Sequence, residues 1–117
     1  MSSSAAMPEK ELQVHPEVRG DVIEISSHIE MDNPLAAEAV EWAITQMFEL
    51  LAQEPGMGTE YHPLRRSLQG IRMITVPEYP NHLIYYRPLP ENAGARILYV
   101  LHGARDAEAF AKEHGRQ

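Results

Sequence analysis

The chain lacks cysteine altogether, and this absence excludes several classes of protein. A disulfide scaffold, a thiolate-bound metal or iron–sulfur cluster and a cysteine nucleophile all need a residue that is not there. Long apolar runs are absent too, since none approaches the ~18 residues that span a bilayer. The Ser/Ala-rich start is followed by no apolar stretch, so we expect no secretory signal and a cytoplasmic protein.

Basic residues are scarce in the first half of the chain. Residues 1–60 carry two basic and twelve acidic side chains, whereas residues 61–117 carry eight basic and five acidic ones, for a net charge of −7. This charge is poorly suited to following a phosphate backbone, so direct binding of nucleic acid is not expected. The length of 117 residues fits one domain, which we place at 11–117 after a disordered lead at 1–10.

Helical periodicity dominates the first half of this domain. A short strand is predicted at 11–14, and a helix of about four turns follows, with apolar residues spaced by three and four. Asn33 and Pro34 then provide an N-cap and a first-turn proline for a helix over 34–53. Proline and glycine end that helix at 54–58. The short connection between the two helices predicts an antiparallel helical hairpin.

After a polar loop at 59–69 the apolar period changes to two. Strands are predicted at 71–76, 82–87 and 96–102, and their short links make them an antiparallel meander. A short helix is expected within 104–114. The order β-α-α-β-β-β-α indicates an α+β fold, with the hairpin packed on one face of an antiparallel sheet.

The last two predicted strands are apolar on both alternating faces, and a hairpin covers one face only. An uncovered apolar face usually binds a partner. We therefore expect Ile84, Tyr86, Leu98 and Val100 to face another protein. The alternative is that the loop at 54–69 and the terminal segment fold over this face.

Signals for a metal or cofactor are weak. Glu24 and His28 lie four residues apart on the first helix and could face one ion, but no third ligand follows at a recognised spacing. The sequence has no His-Glu-x-x-His pattern, no glycine-rich phosphate loop and no serine elbow. We expect neither a metal nor a cofactor.

Three stretches resemble the ParE/RelE superfamily of toxins from type II toxin–antitoxin modules. They are the helix start at 32–34 with 48–58, the strand at 82–87, and the closing strand ILYVLHGARD at 97–106, which is the most specific for the ParE-like branch. The resemblance implies a small sheet flanked by a helical hairpin, and a cognate antitoxin that wraps the toxin in a hetero-oligomer. It also implies a plasmid-stabilisation role. RelE-like members cut mRNA in the ribosome, and ParE-like members with an assigned target act on DNA gyrase.

The residues expected of a RelE-like ribonuclease are only partly present. Arg72 matches a strand cation and Arg105 the arginine after the last strand, whereas His82 replaces a strand arginine and Phe110 lies near the tyrosine position. Cleavage also needs several cations at the scissile phosphate. We therefore favour a non-enzymatic ParE-like inhibitor of gyrase. The alternative is a ribosome-dependent endoribonuclease that uses Arg72, His82 and Arg105.

The toxic face is expected in the basic half, and its candidates are Arg72, Arg87, His102 and Arg105. Each also has a structural interpretation. Arg105 could cap the terminal helix, His102 could be a packing residue at a strand end, and Arg72 could extend to the sheet edge. A second alternative is an inactive relative that retains only antitoxin binding.

Overall fold

The computed structural model describes residues 10–61, 66–103 and 107–116. In these ranges the elements are, in chain order, β1 (Glu11–Val14), α1 (Val18–Glu30), α2 (Pro34–Gln53), β2 (Thr59–Glu60), β3 (Arg72–Val76), β4 (Tyr79–Pro88), β5 (Gly94–His102) and α3 (Ala107–His114). The predicted disordered lead lies almost entirely outside the described residues. The predicted α+β class is confirmed. In these ranges β2 and two 3₁₀ turns, at Arg66–Leu68 and Pro90–Asn92, were not foreseen.

The hairpin of α1 and α2 follows from local sequence. The side chain of Asn33 accepts a hydrogen bond from the backbone N–H of Ala36, 3.1 Å away, and Pro34 occupies the first turn of α2. These are the cap and first-turn residues that helix starts favour. The helix ends at Gln53, just before Pro55 and Gly56. The predicted bounds of 34–53 are therefore confirmed.

The sheet has the strand order β1-β5-β4-β3-β2. β1 runs parallel to β5 and pairs Glu11–Val14 with residues 94–97, while the remaining neighbours are antiparallel. The sheet is therefore mixed rather than wholly antiparallel, because the chain crosses from β1 over the helical hairpin before it enters the meander. The link predicted at 77–81 shortens to a turn at Pro77 and Glu78, where Glu78 has a φ of 70°.

One hydrophobic core lies between the hairpin and the sheet. The buried face of α2 contributes Val40, Ile44 and Leu51, each fully inaccessible to solvent. The apolar stripe of α1 packs against the same cluster. The strand residues in this core are Val76, Ile84, Tyr86, Ala95, Ile97 and Val100.

A second core covers the opposite face of the sheet. The 3₁₀ turn at Arg66–Leu68, the residue Ile71 and the helix α3 pack over β4 and β5. The buried members of this cluster are Leu68, Ile71, Tyr85, Leu98, Tyr99, Leu101 and Ala111. A bulge contributes to it, because Tyr85 pairs with Tyr99 and Tyr86 with Ile97, which leaves Leu98 as the extra residue. Leu98 and Tyr99 then both belong to the second core.

The expectation of an uncovered apolar sheet face is wrong for the described residues. Ile84, Tyr86 and Val100 lie under the hairpin, and Leu98 lies in the second core, each at most 2% exposed. The chain's own segments bury both faces, which is the alternative left open above. None of these four side chains can contact a partner protein in this conformation.

Candidate functional site

The outer edge of β5 is only partly paired. β1 covers residues 94–97, so the backbone of the second half of β5 must find other partners. The carboxylate of Asp21 on α1 accepts the N–H of Val100 at 3.0 Å, and the guanidinium of Arg116 donates to the carbonyl of Leu98 at 3.1 Å. Beyond the end of β1, side chains rather than another strand therefore pair with the backbone of β5.

Arg116 and Asp21 form a buried two-pronged ion pair. Nη2 of Arg116 lies 2.9 Å from Oδ1 of Asp21, and Nη1 contacts Oδ2. The side chains are 4% and 8% exposed. The guanidinium also lies 5.0 Å from the ring centre of Tyr99 and 5.2 Å from that of Phe110. This pair fastens the end of the chain to α1 and β5 across 95 positions.

A cavity of about 520 Å³ opens beside this ion pair. It lies between α1, the turn that follows it, the paired ends of β4 and β5, and α3. Its polar lining residues are Asp21, Glu24, His28, Asp32, Asn33, His82 and His102. Its apolar lining residues are Ile25, Ile29, Val100, Leu101 and Phe110.

Two histidines face each other in this cavity. His82 and His102 are directly paired across β4 and β5, and their rings meet edge to face with centres 5.5 Å apart. Burial, and to a lesser extent the neighbouring His102, lowers the pKa of His82. Within the described part of the chain, Nδ1 of His82 is sealed from solvent and has no hydrogen-bond partner. A neutral ring is therefore favoured at this position.

The histidines and carboxylates of the cavity do not form a metal site. Within the described ranges, no three His, Asp or Glu side chains are arranged to hold an ion. Glu24 and His28 both line the cavity, as their spacing suggested, but no third ligand joins them there.

Arg72, the first of the predicted toxic-face residues, serves the fold. Its guanidinium donates to the carbonyl of Gly58. Beside it, the hydroxyl of Tyr86 donates to the carbonyl of Pro55 at 2.7 Å and accepts the N–H of Gly58 at 2.9 Å. These bonds hold the loop after α2 against β3 and β4.

The three predicted toxic-face residues that the structure describes lie in separate places. Arg72 extends from the hairpin face of the sheet, Arg87 reaches the opposite face, and His102 is exposed at the end of β5. Arg105 lies outside the described residues. The structure therefore does not gather the described candidates into one surface.

Of the three residues proposed for a ribonuclease, the two that the structure describes, Arg72 and His82, lie apart. Arg72 is paired with Tyr86, which lies four residues along β4 from His82. At about 3.3 Å per residue this separates the two positions by about 13 Å. Phe110, near the expected tyrosine position, packs edge to face on Tyr99 and lines the cavity.

Only one member of a pair of facing arginines on the sheet, Arg87, was predicted from the sequence. Arg87 lies directly opposite Arg96 on β5. Arg87 donates to the carbonyl of Gln69 at 2.6 Å, and Arg96 to the side chain of Gln13 at 3.4 Å. Like charges directly opposite on neighbouring strands repel. Only the strand register, which the sequence does not state, identifies Arg96 as a neighbour of Arg87.

The described part of the chain also exposes apolar side chains on the outside of α2. Trp42 is 67% exposed and Leu50 is 44% exposed. They line a groove of about 540 Å³ between α2 and the turn that joins β3 to β4. Glu49 and Glu78 stand at the same groove, so its rim is acidic.

The family model for the ParE toxin of type II toxin–antitoxin systems, parDE, matches residues 12–107. The chain belongs to the ParE toxin family. The match runs from β1 to the start of α3, so it contains the hairpin and all of the sheet except Glu11 of this ParE-family chain. No curated protein sequence matches it. Among its described residues, no helix has both the length and the apolar character needed to cross a membrane.

Proposed function

We propose that this ParE-family chain is a toxin that inhibits DNA gyrase and is held inactive by a cognate antitoxin. The observation that carries the proposal is the family match over residues 12–107, which leaves only the ends of the chain outside it. ParE-like toxins with an assigned target act on gyrase, and a type II toxin is made together with its antitoxin.

The geometry favours gyrase over mRNA as the target. Cleavage of RNA needs a proton-transfer group and cations around one phosphate. Here His82 lies in an acidic cavity against α1, whereas Arg72 is engaged with the loop after α2. The second sheet face is occupied by apolar and aromatic side chains. The described residues therefore support binding more than catalysis.

The pair Arg87 and Arg96 is our candidate for the contact with the target. The two residues lie directly opposite each other on neighbouring strands, so both guanidinium groups can approach one anionic group of a partner. Charge-assisted bonds from arginine to a carboxylate or phosphate are strong and directional. We propose that this pair binds an anionic surface of gyrase or its DNA complex.

The groove at Trp42 and Leu50 is our candidate for antitoxin binding. The four side chains first expected to bind the antitoxin are buried, whereas this apolar groove is open to solvent. Large aromatic residues dominate the energetics of protein interfaces. Because Glu49 and Glu78 border the groove, a complementary antitoxin segment carries an apolar stripe flanked by lysine or arginine.

A supercoiling assay with purified gyrase, relaxed plasmid and the purified chain tests the target. We expect the wild-type chain to block supercoiling, and the variant Arg87→Gln/Arg96→Gln to need at least about tenfold more protein. Arg19→Gln, an exposed arginine on α1, is the matched control and keeps full potency. If supercoiling is unchanged at a saturating concentration of the chain, the proposal that gyrase is the target is contradicted. If the double variant is as potent as the wild type, only the proposed contact of Arg87 and Arg96 with the target is contradicted.

Co-purification with the antitoxin encoded beside this gene tests the groove. We expect Trp42→Ala/Leu50→Ala to weaken the complex by at least about a hundredfold, since each is a large apolar side chain at the centre of the proposed contact. Ile23→Ala removes a comparably exposed apolar side chain from α1 and serves as the control. An equal loss in both variants contradicts the placement of the antitoxin in this groove.

A further inference from the structure

We infer that Arg116 is a latch that holds α3 docked on the second core, and that α3 detaches as a unit when the contact between Arg116 and Asp21 is broken. The hairpin and the strands stay folded in this open form. The latch is distinct from the arginine pair and from the α2 groove, and it does not depend on the toxin function. It follows from the path of the chain after α3, the groups around the guanidinium and the surface that α3 covers.

The chain turns back onto β5 directly after α3. Gly115 has a φ of 55°, and its N–H donates to the carbonyl of Ala111 at 2.7 Å, which ends the helix. The N–H of the next residue, Arg116, donates to the hydroxyl of Tyr99 at 3.1 Å. Its guanidinium donates to the carbonyl of Leu98 at 3.1 Å. The backbone and the side chain of Arg116 therefore both fix the end of α3 to β5.

The guanidinium of Arg116 is a shared layer between α1, β5 and α3. Nη2 lies 2.9 Å from Oδ1 of Asp21 on α1, and the guanidinium carbon lies 5.0 Å from the ring centre of Tyr99 on β5. The same carbon lies 5.2 Å from the ring centre of Phe110, which belongs to α3. Arginine is attracted to the face of an aromatic ring, and more strongly where water is excluded. Phe110 therefore docks on a group whose position is fixed by α1.

The closed form depends on Asp21 because burial of the guanidinium is costly. Arg116 is 5% exposed, and a buried charge without its counter-ion is strongly unfavourable. Among the residues that the structure describes, Nε of Arg116 is sealed from solvent and lacks a hydrogen-bond partner, which adds to this cost. Without the carboxylate, the guanidinium is more stable in water than under α3. Loss of the ion pair therefore favours release of Arg116 and of the helix that rests on it.

The helix α3 cannot hold its own structure once it is detached. It has eight residues, whereas isolated helices shorter than about 12–15 residues are marginal in water. Its docking contacts in the second core include Ala111, which is buried, and Phe110, whose ring centre lies 5.6 Å from that of Tyr99. Release of Arg116 removes the anchor at one end of these contacts. We therefore expect the helix to open as one unit.

The surface under α3 is aromatic. Edge-to-face contacts join Tyr85 to Tyr99 and Tyr99 to Phe110, with ring centres 6.5 and 5.6 Å apart. Removal of Phe110 with α3 uncovers the ring of Tyr99, which is 3% exposed in the closed form. Tyr86 lies on the opposite face, in the core under the hairpin, and remains covered. The two tyrosines Tyr86 and Tyr99 therefore distinguish opening of α3 from unfolding of the whole chain.

Hydrogen exchange of the purified full-length chain, followed by mass spectrometry, tests the latch. In Arg116→Ala we expect the amides of α3 to exchange at nearly the rate of an unfolded peptide, while those of α2 stay at least about a hundredfold slower than that rate. Arg19→Ala removes an exposed arginine of α1 and is the matched control, with α3 as protected as in the wild type. Equal protection of α3 in Arg116→Ala and the wild type overturns the inference. Loss of protection in α2 together with α3 overturns it as well, since the helix would then not open on its own.

Hydroxyl-radical footprinting gives an independent measure of the surface that opens. We expect oxidation of Tyr99 to be at least about tenfold faster in Arg116→Ala than in the wild type, while oxidation of Tyr86 is unchanged. An equal increase at both tyrosines, or no increase at Tyr99, contradicts a local opening of α3.

A milder variant keeps the ion pair and weakens only the contact of α3 with it. Phe110→Leu replaces the ring that lies against the guanidinium by a smaller apolar side chain. We expect exchange in α3 to become about threefold faster or more, with exchange in α2 unchanged. Unchanged exchange in α3 refutes the docking of this helix on Arg116. Neither gyrase nor antitoxin is present in these measurements, so their outcome is independent of the supercoiling assay.

Discussion

Removing Asp21 leaves a buried guanidinium without its carboxylate. In the folded chain Asp21 accepts two bonds from Arg116 and one from the N–H of Val100. Breaking a buried ion pair by deleting one partner costs about 3–5 kcal/mol. Small domains are stable by only about 5–15 kcal/mol. We therefore expect Asp21→Ala to lose a large part of the free energy of unfolding, measured by urea titration.

The partner variant separates the ion pair from its surroundings. Arg116→Ala removes the same pair together with the contacts of the guanidinium to Tyr99 and Phe110. We expect it also to cost about 3–5 kcal/mol. The double variant leaves no unpaired buried charge, so its loss is smaller than the sum of the two single losses by at least about 2 kcal/mol.

An exposed carboxylate on the same helix supplies the control. Glu30→Ala on α1 is expected to change the free energy of unfolding by less than about 0.5 kcal/mol. The reasoning is refuted if the losses of Asp21→Ala and Arg116→Ala add without coupling. A loss below about 1 kcal/mol in either single variant refutes it as well, because the end of the chain would then not be fastened by this pair.

Three further variants test the described packing. Gly58→Ala places a Cβ 2.7 Å from the Tyr86 hydroxyl and 2.8 Å from the carbonyl of Met73, so urea titration should show a loss of about 1–3 kcal/mol. Tyr86→Phe removes the hydroxyl bonded to Pro55 and Gly58 and should cost about 1–3 kcal/mol; an unchanged urea midpoint contradicts the role of that hydroxyl. The pKa of His82 is lowered in the folded state, so the unfolded chain binds the proton first as the pH falls below about 6.5, and stability decreases there. His82→Gln should flatten this decrease between pH 7.5 and 5, and an equally steep decrease in the variant contradicts the assignment.

The helices could be predicted because their determinants are local. Asn33 and Pro34 begin α2, and Pro55 with Gly56 follows its end, so the bounds follow from a few neighbouring residues. The positions of the strands also followed from the period of two. Their pairing was only partly predictable, since the parallel contact of β1 with β5 joins residues more than 80 positions apart.

The cover of the second sheet face could not be predicted from periodicity. The apolar pattern of β4 and β5 correctly indicated that both faces are buried, but it does not say by what. The cover comes from Leu68, Ile71 and Ala111, which lie in the segments that precede β4 and follow β5, and strand periodicity does not report on those segments. The bulge that adds Leu98 to this face depends on strand register. An uncovered face was therefore the wrong inference from a correct pattern.

The candidate sites depend on the same long-range pairing. His82 was singled out from the sequence, but its contact with His102 requires the register of β4 and β5. Arg96 becomes a candidate only because it lies opposite Arg87, and this pairing also depends on the strand register. No local pattern around Arg116 indicates its structural role, because its partner Asp21 lies 95 positions away.

We propose that this ParE-family chain acts on gyrase and not on translated mRNA. The most direct measurement maps DNA breaks and mRNA 5′ ends in the same bacterial cells after the chain is induced without antitoxin. If the chain acts on gyrase, gyrase-dependent DNA breaks appear while the mRNA 5′ ends stay unchanged. Codon-linked cuts in translated mRNA, with no new DNA breaks, would contradict it.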